Sequence, residues 1–194
     1  MHTMRQHDKD AAYRKLEELE SRKLDVSDIP ALIQLLSQPY QWFRIRAAEL
    51  LGSVNGEEAV RWLAIALNDR CEYVSKAAAA SLSSLQGPEA LDMLRRAFAH
   101  DEIERPHYLA NAIAKFGDAG FALLEEFARS ESATLRYFAA RGLGSTGNAT
   151  AQPVLESMRA DTEKTRFGGQ VSTSAKEALR TLRRIQANAS AVSD

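Results

Sequence analysis

The chain carries one pattern twice, as FRIRAAELLG at residues 43–52 and as LRYFAARGLG at residues 135–144. Both copies place an arginine second, an Ala-Ala pair in the middle and Leu-Gly at the end. Further copies with similar apolar spacing start at Val74, Arg105 and Val171, so successive start points differ by 31, 31, 30 and 36 residues. Self-similarity at a fixed period of this length indicates a protein built from stacked repeats.

A helix precedes each copy, and its apolar positions align from one repeat to the next. One column holds Leu32, Leu63, Leu94, Leu124 and Val154. A column three residues earlier holds Ile29, Val60, Leu91, Phe121 and Ala151. This spacing is typical of an amphipathic helix. Each repeat therefore has two helices, A and B, and we expect both columns to occupy equivalent core positions.

Glycine-containing turn signals mark where repeats join, at Gly56, Gly87, Gly117 and Gly147. They divide residues 27–186 into five helix pairs, at about 27–56, 57–87, 88–117, 118–147 and 148–186. Residues 1–26 are predicted to hold an N-terminal capping helix with Ala12, Leu16 and Leu19 facing inward, and residues 187–194 a flexible tail. Because a single pair cannot bury both of its faces, neighbouring pairs must stack, and the predicted fold is an all-α solenoid.

The composition agrees with this class. The chain has 194 residues, of which 45% are hydrophobic, and its 32 Ala and 22 Leu against 7 Val and 7 Ile favour helices over sheets. The formal net charge of −1 provides no general attraction to nucleic acid or to an anionic membrane, and neither is expected as a partner. A single cysteine and a start without a secretory pattern predict a cytoplasmic protein. The oligomeric state stays open.

The repeat unit resembles the short HEAT-like repeat found in phycobilin lyase subunits and in many bacterial scaffold proteins. The shared features are the apolar-Arg start, the Ala-Ala pair and the Leu-Gly end of helix B. The resemblance covers about residues 27–186 and weakens at Arg105-Pro106 and in the last copy, which lacks the glycine. It implies a right-handed α-α superhelix, and because such repeats serve unrelated functions it says more about fold than about activity.

No catalytic, metal or cofactor motif was found. The histidines lack the His-Glu dipeptides of HEAT-like hydroxylases, and Cys71 has no histidine indicated as a catalytic partner. Arg44 and Arg136 take the arginine position of helix B. There we expect each to bond to a neighbouring turn, with Asp69 or Asp101 as acceptor.

Exposed positions of the B helices carry the residue types of binding surfaces. In stacked repeats these helices usually line the concave side, and aromatic and Arg side chains dominate binding hot spots. For Tyr108 the alternative prediction is a position in the core between repeats. The second candidate surface is the expanded loop at residues 161–170, because insertions map to one edge of a solenoid. The predicted partner-binding residues are Trp42, Tyr73, Lys76, His107, Tyr108, Asn111, Tyr137 and Arg141.

The sequence therefore predicts a non-catalytic protein-binding scaffold, adaptor or inhibitor that grips another protein in its concave face. A bacterial immunity-type protein is one form of that function. The alternative, implied by the resemblance to phycobilin lyases, is a bilin lyase-like enzyme subunit or a chaperone of chromophore attachment.

Overall fold

The structure is a computed structural model that describes residues 6–100 and 107–193. The chain divides into two compact units between Met93 and Leu94. In the first unit the helices are α1 (Gln6–Glu20), α2 (Ile29–Leu36), α3 (Gln41–Leu51), α4 (Glu57–Ala66) and α5 (Glu72–Leu85). Helix α6 (Pro88–Ala99) crosses the division, and the second unit holds α7 (His107–Ile113), α8 (Gly117–Phe127), α9 (Ala133–Ser145), α10 (Ala151–Ser157) and α11 (Val171–Ser193).

The predicted all-α class and the A/B helix pairs are confirmed. In the first unit α2 packs on α3 and α4 on α5, while the two B helices α3 and α5 pack on each other. In the second unit α8 and α10 pack on α9 and α11 respectively, and α9 lies between α7 and α11. Within the described residues, β pairing is limited to an isolated antiparallel bridge between Lys164 and Gln170.

The predicted glycine turns occur between helices. Gly56, Gly87, Gly117 and Gly147 have φ values of 142°, 87°, 58° and 71°. L-residues with a Cβ rarely adopt positive φ, whereas glycine does so without steric cost. These glycines therefore let each B helix end and the next A helix begin within a short turn.

The deeper A-helix column lies where the sequence predicts it, and the earlier column does not. Leu32, Leu63, Leu94 and Leu124 are fully buried. In the earlier column Ile29 is fully buried, but Val60, Leu91 and Phe121 are only half-buried. The residues buried there are one place earlier, at Ala59, Ala90 and Gly120. In the last A helix Val154 is likewise half-buried and Leu155 is buried.

The reason for this correction is helix–helix proximity. Consecutive helix positions are about 100° apart, so a small residue one place earlier can face the neighbouring helix while the larger residue lies at the margin of the buried stripe. A Cβ added to Gly120 would lie 2.0 Å from the Ile113 carbonyl oxygen, so no larger side chain fits there. Apolar periodicity favours the larger residue of each adjacent pair, so the sequence predicts Val60 and not Ala59 in the core.

Both ends of the chain contribute helices. Ala12, Leu16 and Leu19 of α1 are buried, as predicted for the capping helix. Helix α11 extends to Ser193, so the described part of residues 187–194, for which we predicted a flexible tail, is helical. The Ala-rich sequence of this segment accounts for the difference, because alanine has the highest helix propensity.

Candidate functional site

A buried arginine joins consecutive repeats in the first unit. Arg44 of α3 donates from Nε and Nη2 to the two carboxylate oxygens of Asp69, at 2.8 and 3.0 Å. Its Nη1 donates to the carbonyls of Gln38 and Pro39, both at 2.9 Å. The predicted bond from Arg44 to the turn at Asp69 is confirmed, while Asp101 lies outside the described residues.

The carboxyl group of Asp69 remains ionised in this setting. Burial raises its pKa, but hydrogen bonds from Arg44 and from the backbone N–H of Cys71 outweigh that effect, so the pKa lies below its ordinary value. Both members of the pair are therefore charged. Each offsets the free-energy cost of removing the other's charge from water in this partly buried site.

Helix α9 repeats this arrangement in the second unit. Arg136 Nη1 donates to the carbonyls of Ser130 and Glu131, both at 2.8 Å. Its Nε donates to Asp161 and its Nη2 to Glu163, each at 2.7 Å. Both carboxylates belong to the insertion at residues 161–170, called here the inserted loop. Arg136 therefore fixes the base of the inserted loop to α9.

Hydrogen bonds also hold the inserted loop in one conformation. Thr165 is buried, and its Oγ1 accepts hydrogen bonds from the backbone N–H groups of Phe167 and Gly169 at 3.2 and 3.1 Å. The Thr165 N–H donates to the Gly169 carbonyl at 2.8 Å. The loop lies directly on α9, because a Cβ on Gly169 would be only 2.9 Å from Cε2 of Tyr137.

The inserted loop and the B helices of the second unit enclose a groove of about 380 Å³. Its walls come from α7, from α9 and from the loop, so the two surfaces that the sequence offered as alternatives contribute to one site. The lining residues are His107, Tyr137, Phe138, Arg141, Thr165, Phe167 and Gly169.

The groove is aromatic with a cationic edge. Tyr137 and Phe138 are half-buried and meet edge to face with ring centroids 5.0 Å apart, while Phe167 is 52% exposed. The guanidinium of Arg166 stacks over the Phe167 ring at 4.8 Å from its centroid. Arg141 is exposed and lies 3.5 Å from a carboxylate oxygen of Glu177. This combination suits partners with apolar and acidic side chains.

The remaining predicted residues of the second unit lie in two environments. Asn111 is exposed, and its Oδ1 accepts a hydrogen bond from Ser145 Oγ at 3.2 Å. Tyr108 is only 9% exposed, so its prediction as a contact residue is corrected. The ring belongs to the core beside His107, whose own ring meets it edge to face at 5.6 Å.

Three predicted residues lie in the first unit and are exposed. Trp42 is 44% and Tyr73 is 65% exposed, and Lys76 faces solvent one turn beyond Tyr73. Trp42 is held by ring contacts to Tyr13 and Phe43, both with centroids 5.3 Å from its own. The first unit therefore presents a second aromatic surface on its B helices.

Four groove residues were not among the predicted contact residues, namely Phe138, Thr165, Phe167 and Gly169. The sequence marked the inserted loop as a whole but had no signal for which of its side chains point to α9. The Gly168-Gly169 pair next to an aromatic residue was the available signal, since adjacent glycines allow a tight turn against a ring.

The described residues contain neither a candidate metal-binding cluster nor a candidate membrane-spanning helix. No cluster of three or more His, Cys, Asp or Glu side chains there is arranged to hold a metal ion. None of the helices in residues 6–100 and 107–193 has the length and apolarity needed to cross a membrane.

Part of the chain matches a known family of repeats. Residues 29–106 match the family of HEAT repeats. Over these residues the match confirms the resemblance that the B-helix pattern indicates. Comparison with curated protein sequences found no match.

Several solved structures are similar to the chain. One is the complex of CpcE and CpcF of phycocyanin lyase from Nostoc sp. PCC7120, with 21% identity and a TM-score of 0.49 over 79% of this chain. The chain spans 66% of the length of that lyase chain. Another is a computationally designed armadillo repeat protein for modular peptide recognition, with 17% identity and a TM-score of 0.42 over 91% of this chain and 94% of that one.

Proposed function

We propose that this chain is a non-catalytic protein-binding scaffold, acting as an adaptor or inhibitor, that grips a partner protein through its B helices. The observation that carries the proposal is the groove of the second unit, where His107, Tyr137 and Arg141 meet the inserted loop. The repeat pattern of the sequence independently predicts these three residues as contact residues. An immunity-type protein that blocks a toxin is one form of this function.

The residue types of the groove support binding to a protein. Aromatic and Arg side chains give large contact areas and dominate interface hot spots. Tyr137, Phe138, Phe167 and Arg141 supply both types within one concavity. Because Arg136 and Thr165 already hold the inserted loop by hydrogen bonds, little further ordering is needed when a partner binds, which favours affinity.

The exposed aromatic residues of the first unit give independent support. Trp42 and Tyr73 both occupy the second place of a B helix, in α3 and α5. Exposed apolar side chains mark interaction sites when they are clustered, and Trp42 contacts the exposed ring of Tyr13 with centroids 5.3 Å apart. We therefore assign Trp42 and Tyr73 to a second contact surface of the scaffold.

Affinity capture followed by titration tests the proposal. A tagged chain is used to isolate partners from the organism that encodes it, and each purified partner is titrated against Tyr137→Ala and Trp42→Ala. Loss of a central aromatic contact is expected to weaken binding by about 2 kcal/mol, or about 30-fold. Ile65→Ala is the matched control, because Ile65 is 60% exposed on an A helix.

Two results would contradict the scaffold assignment. One is a partner that binds Tyr137→Ala, Trp42→Ala and Ile65→Ala with equal affinity, since the B-helix surfaces would then contribute nothing. The other is the absence of any partner whose capture depends on these surfaces. Circular dichroism of each variant ensures that lost binding does not reflect lost helix.

A bilin lyase-like subunit is the second candidate. The observation in its favour is the groove volume of about 380 Å³, which lies in the range of small-ligand pockets. Mixing the chain with a free bilin is expected to shift the absorption of the pigment if this function holds. An unchanged absorption spectrum would contradict the lyase-like function, and a captured protein partner would then support the scaffold function.

A further inference from the structure

We infer that the groove of the second unit takes an extended acidic peptide segment of a partner protein. In this arrangement a carboxylate of the segment pairs with Arg141, and an adjacent apolar side chain packs against Tyr137, Phe138 and Phe167. The inference rests on the proposed scaffold function and specifies the chemistry that the groove recognises.

Charge is the first argument. Among the lining residues that the structure describes, Arg141 and His107 are able to carry positive charge, and none is acidic. Arg166 adds a second guanidinium at the rim, stacked on Phe167. A guanidinium binds a carboxylate through two parallel hydrogen bonds, which makes an arginine beside an apolar surface well suited to an acidic side chain.

Of the carboxylates in the described part of the chain, Glu177 and Glu163 leave Arg141 accessible to such a ligand. Glu177 is 3.5 Å from Arg141, and both side chains are about half exposed, at 52% and 45%. An exposed ion pair of this kind contributes little to stability, so replacing Glu177 by a carboxylate of the ligand costs little free energy. Glu163 is already engaged by Arg136 at 2.7 Å at the base of the inserted loop, so it does not compete for Arg141.

The size of the groove favours a peptide segment over a folded surface. A volume of about 380 Å³ is at the low end of the range for small-ligand pockets, so the concavity has room for a few side chains. Gly169 keeps the floor of the groove free of a side chain beside Tyr137. An extended segment can place neighbouring side chains on Arg141 and on the rings together, since its side chains alternate along the backbone.

Nucleic acid is the other anionic class that a cationic edge could attract. The aromatic rings could stack bases, but a nucleic-acid channel also needs a run of cations along the backbone path. The groove offers Arg141, His107 and the rim residue Arg166 in a chain of net charge −1. The structure therefore favours the acidic peptide, and the experiment includes an oligonucleotide arm.

The probe is a displayed library of random heptapeptides, selected in parallel against the full chain and against Arg141→Glu. The wild-type selection is expected to enrich Asp or Glu next to an aromatic or aliphatic residue. Fluorescence anisotropy with the individual peptides is expected to show at least a tenfold loss of affinity for Arg141→Glu. The Arg141→Glu selection is expected to shift toward Lys and Arg.

Arg180→Glu is the matched control. Arg180 is an exposed arginine of the same unit that does not line the groove, and its substitution changes the net charge by the same amount. Peptide affinity is expected to stay within about twofold of wild type in this variant. An equal loss in Arg141→Glu and Arg180→Glu would show a general charge effect and would overturn the inference.

The remaining outcomes separate the inference from the scaffold function. Selected peptides that show no enrichment in acids but lose affinity for Tyr137→Ala overturn the acidic specificity and leave the groove as a docking site. Failure to select any peptide also overturns the inference, while partner capture with Tyr137→Ala decides the scaffold function separately. A single-stranded oligonucleotide that displaces the peptides and binds more tightly than they do would replace the acidic peptide as occupant.

Discussion

Replacing Arg44 by methionine tests how the repeats are held together. The substitution keeps much of the length of the side chain but removes all four hydrogen bonds that Arg44 donates, two to Asp69 and two to the carbonyls of Gln38 and Pro39. The Asp69 carboxylate then remains ionised and partly buried without its counter-charge. Only 15% of the Asp69 side chain is exposed, so water compensates it poorly.

The expected cost follows from this burial. Breaking a buried ion pair by removing one partner costs about 3–5 kcal/mol, and because Asp69 keeps some exposure we expect about 3 kcal/mol for Arg44→Met. The equivalent change Arg136→Met is expected to cost less, about 1.5–2 kcal/mol, the range of a lost hydrogen bond to a charged group. Asp161 and Glu163 are 22% and 68% exposed and are more easily hydrated.

Urea unfolding followed by circular dichroism measures both changes, and a double-mutant cycle isolates the pair. Asp69→Asn is made alone and together with Arg44→Met. Residues in direct contact are expected to show coupling, so the double variant should lose at least 1 kcal/mol less than the two single changes summed. Additive effects would mean that Arg44 acts through packing of its stem and not through Asp69.

The reasoning is refuted if Arg44→Met costs less than about 0.5 kcal/mol, the usual range for surface changes. It is also refuted if Arg136→Met destabilises as much as Arg44→Met, since burial would then not control the cost. The two variants are also expected to differ in partner binding. Arg136→Met is expected to weaken partner binding by releasing the inserted loop, whereas Arg44→Met leaves that loop intact.

Three further changes test the core and the pH response. Leu63→Ala removes a fully buried side chain and is expected to cost about 2–5 kcal/mol in urea unfolding, whereas an effect below about 0.5 kcal/mol would contradict its core position. Gly144→Ala places a Cβ 2.7 Å from backbone atoms of Ala178, so a loss of about 1–3 kcal/mol is expected, and a stabilised variant would refute this close packing. Hydrogen bonds from Arg22, and secondly from the backbone N–H of Asp25, lower the pKa of Asp28 from 3.8 to about 2, so their stabilisation is present above pH 3.8 and is lost as the pH falls toward 2. In Arg22→Met the loss of stability on acidification is expected to be smaller, because only the hydrogen bond from Asp25 remains, and an acid unfolding profile identical to wild type would contradict this.

The parts of the molecule that could be predicted from sequence are those that recur. Ile29 and Leu32 define an A helix because apolar residues with helical spacing recur in every repeat, and Arg44 was assigned a turn acceptor because its position recurs at Arg136. The error in the earlier core column has the same origin. Val60 is a stronger apolar signal than Ala59, but close helix packing places the smaller residue in the core.

The groove could not be predicted as one site because its geometry depends on contacts between distant residues. The Ser174 hydroxyl donates to the Tyr137 carbonyl across 37 residues, and Arg136 reaches Asp161 across 25. A non-repeating segment has no second copy in the chain to reveal its contacts. The sequence could therefore name His107, Tyr137 and the inserted loop separately, but not place them together.

The inserted loop begins with the same turn that connects helices A and B in an ordinary repeat. Asp69 accepts the N–H of the residue two places later at 2.8 Å, and Asp161 does so at 3.0 Å. After Asp69 the next helix starts three residues later, at Glu72, whereas after Asp161 it starts ten residues later, at Val171. The extra residues are thus placed behind an anchored turn, where Arg136 binds Asp161 as Arg44 binds Asp69, with Glu163 as an additional acceptor. An insertion placed there adds a wall to the groove without changing the turn between helices A and B, and this explains how a repeating helical fold acquires a groove at one position.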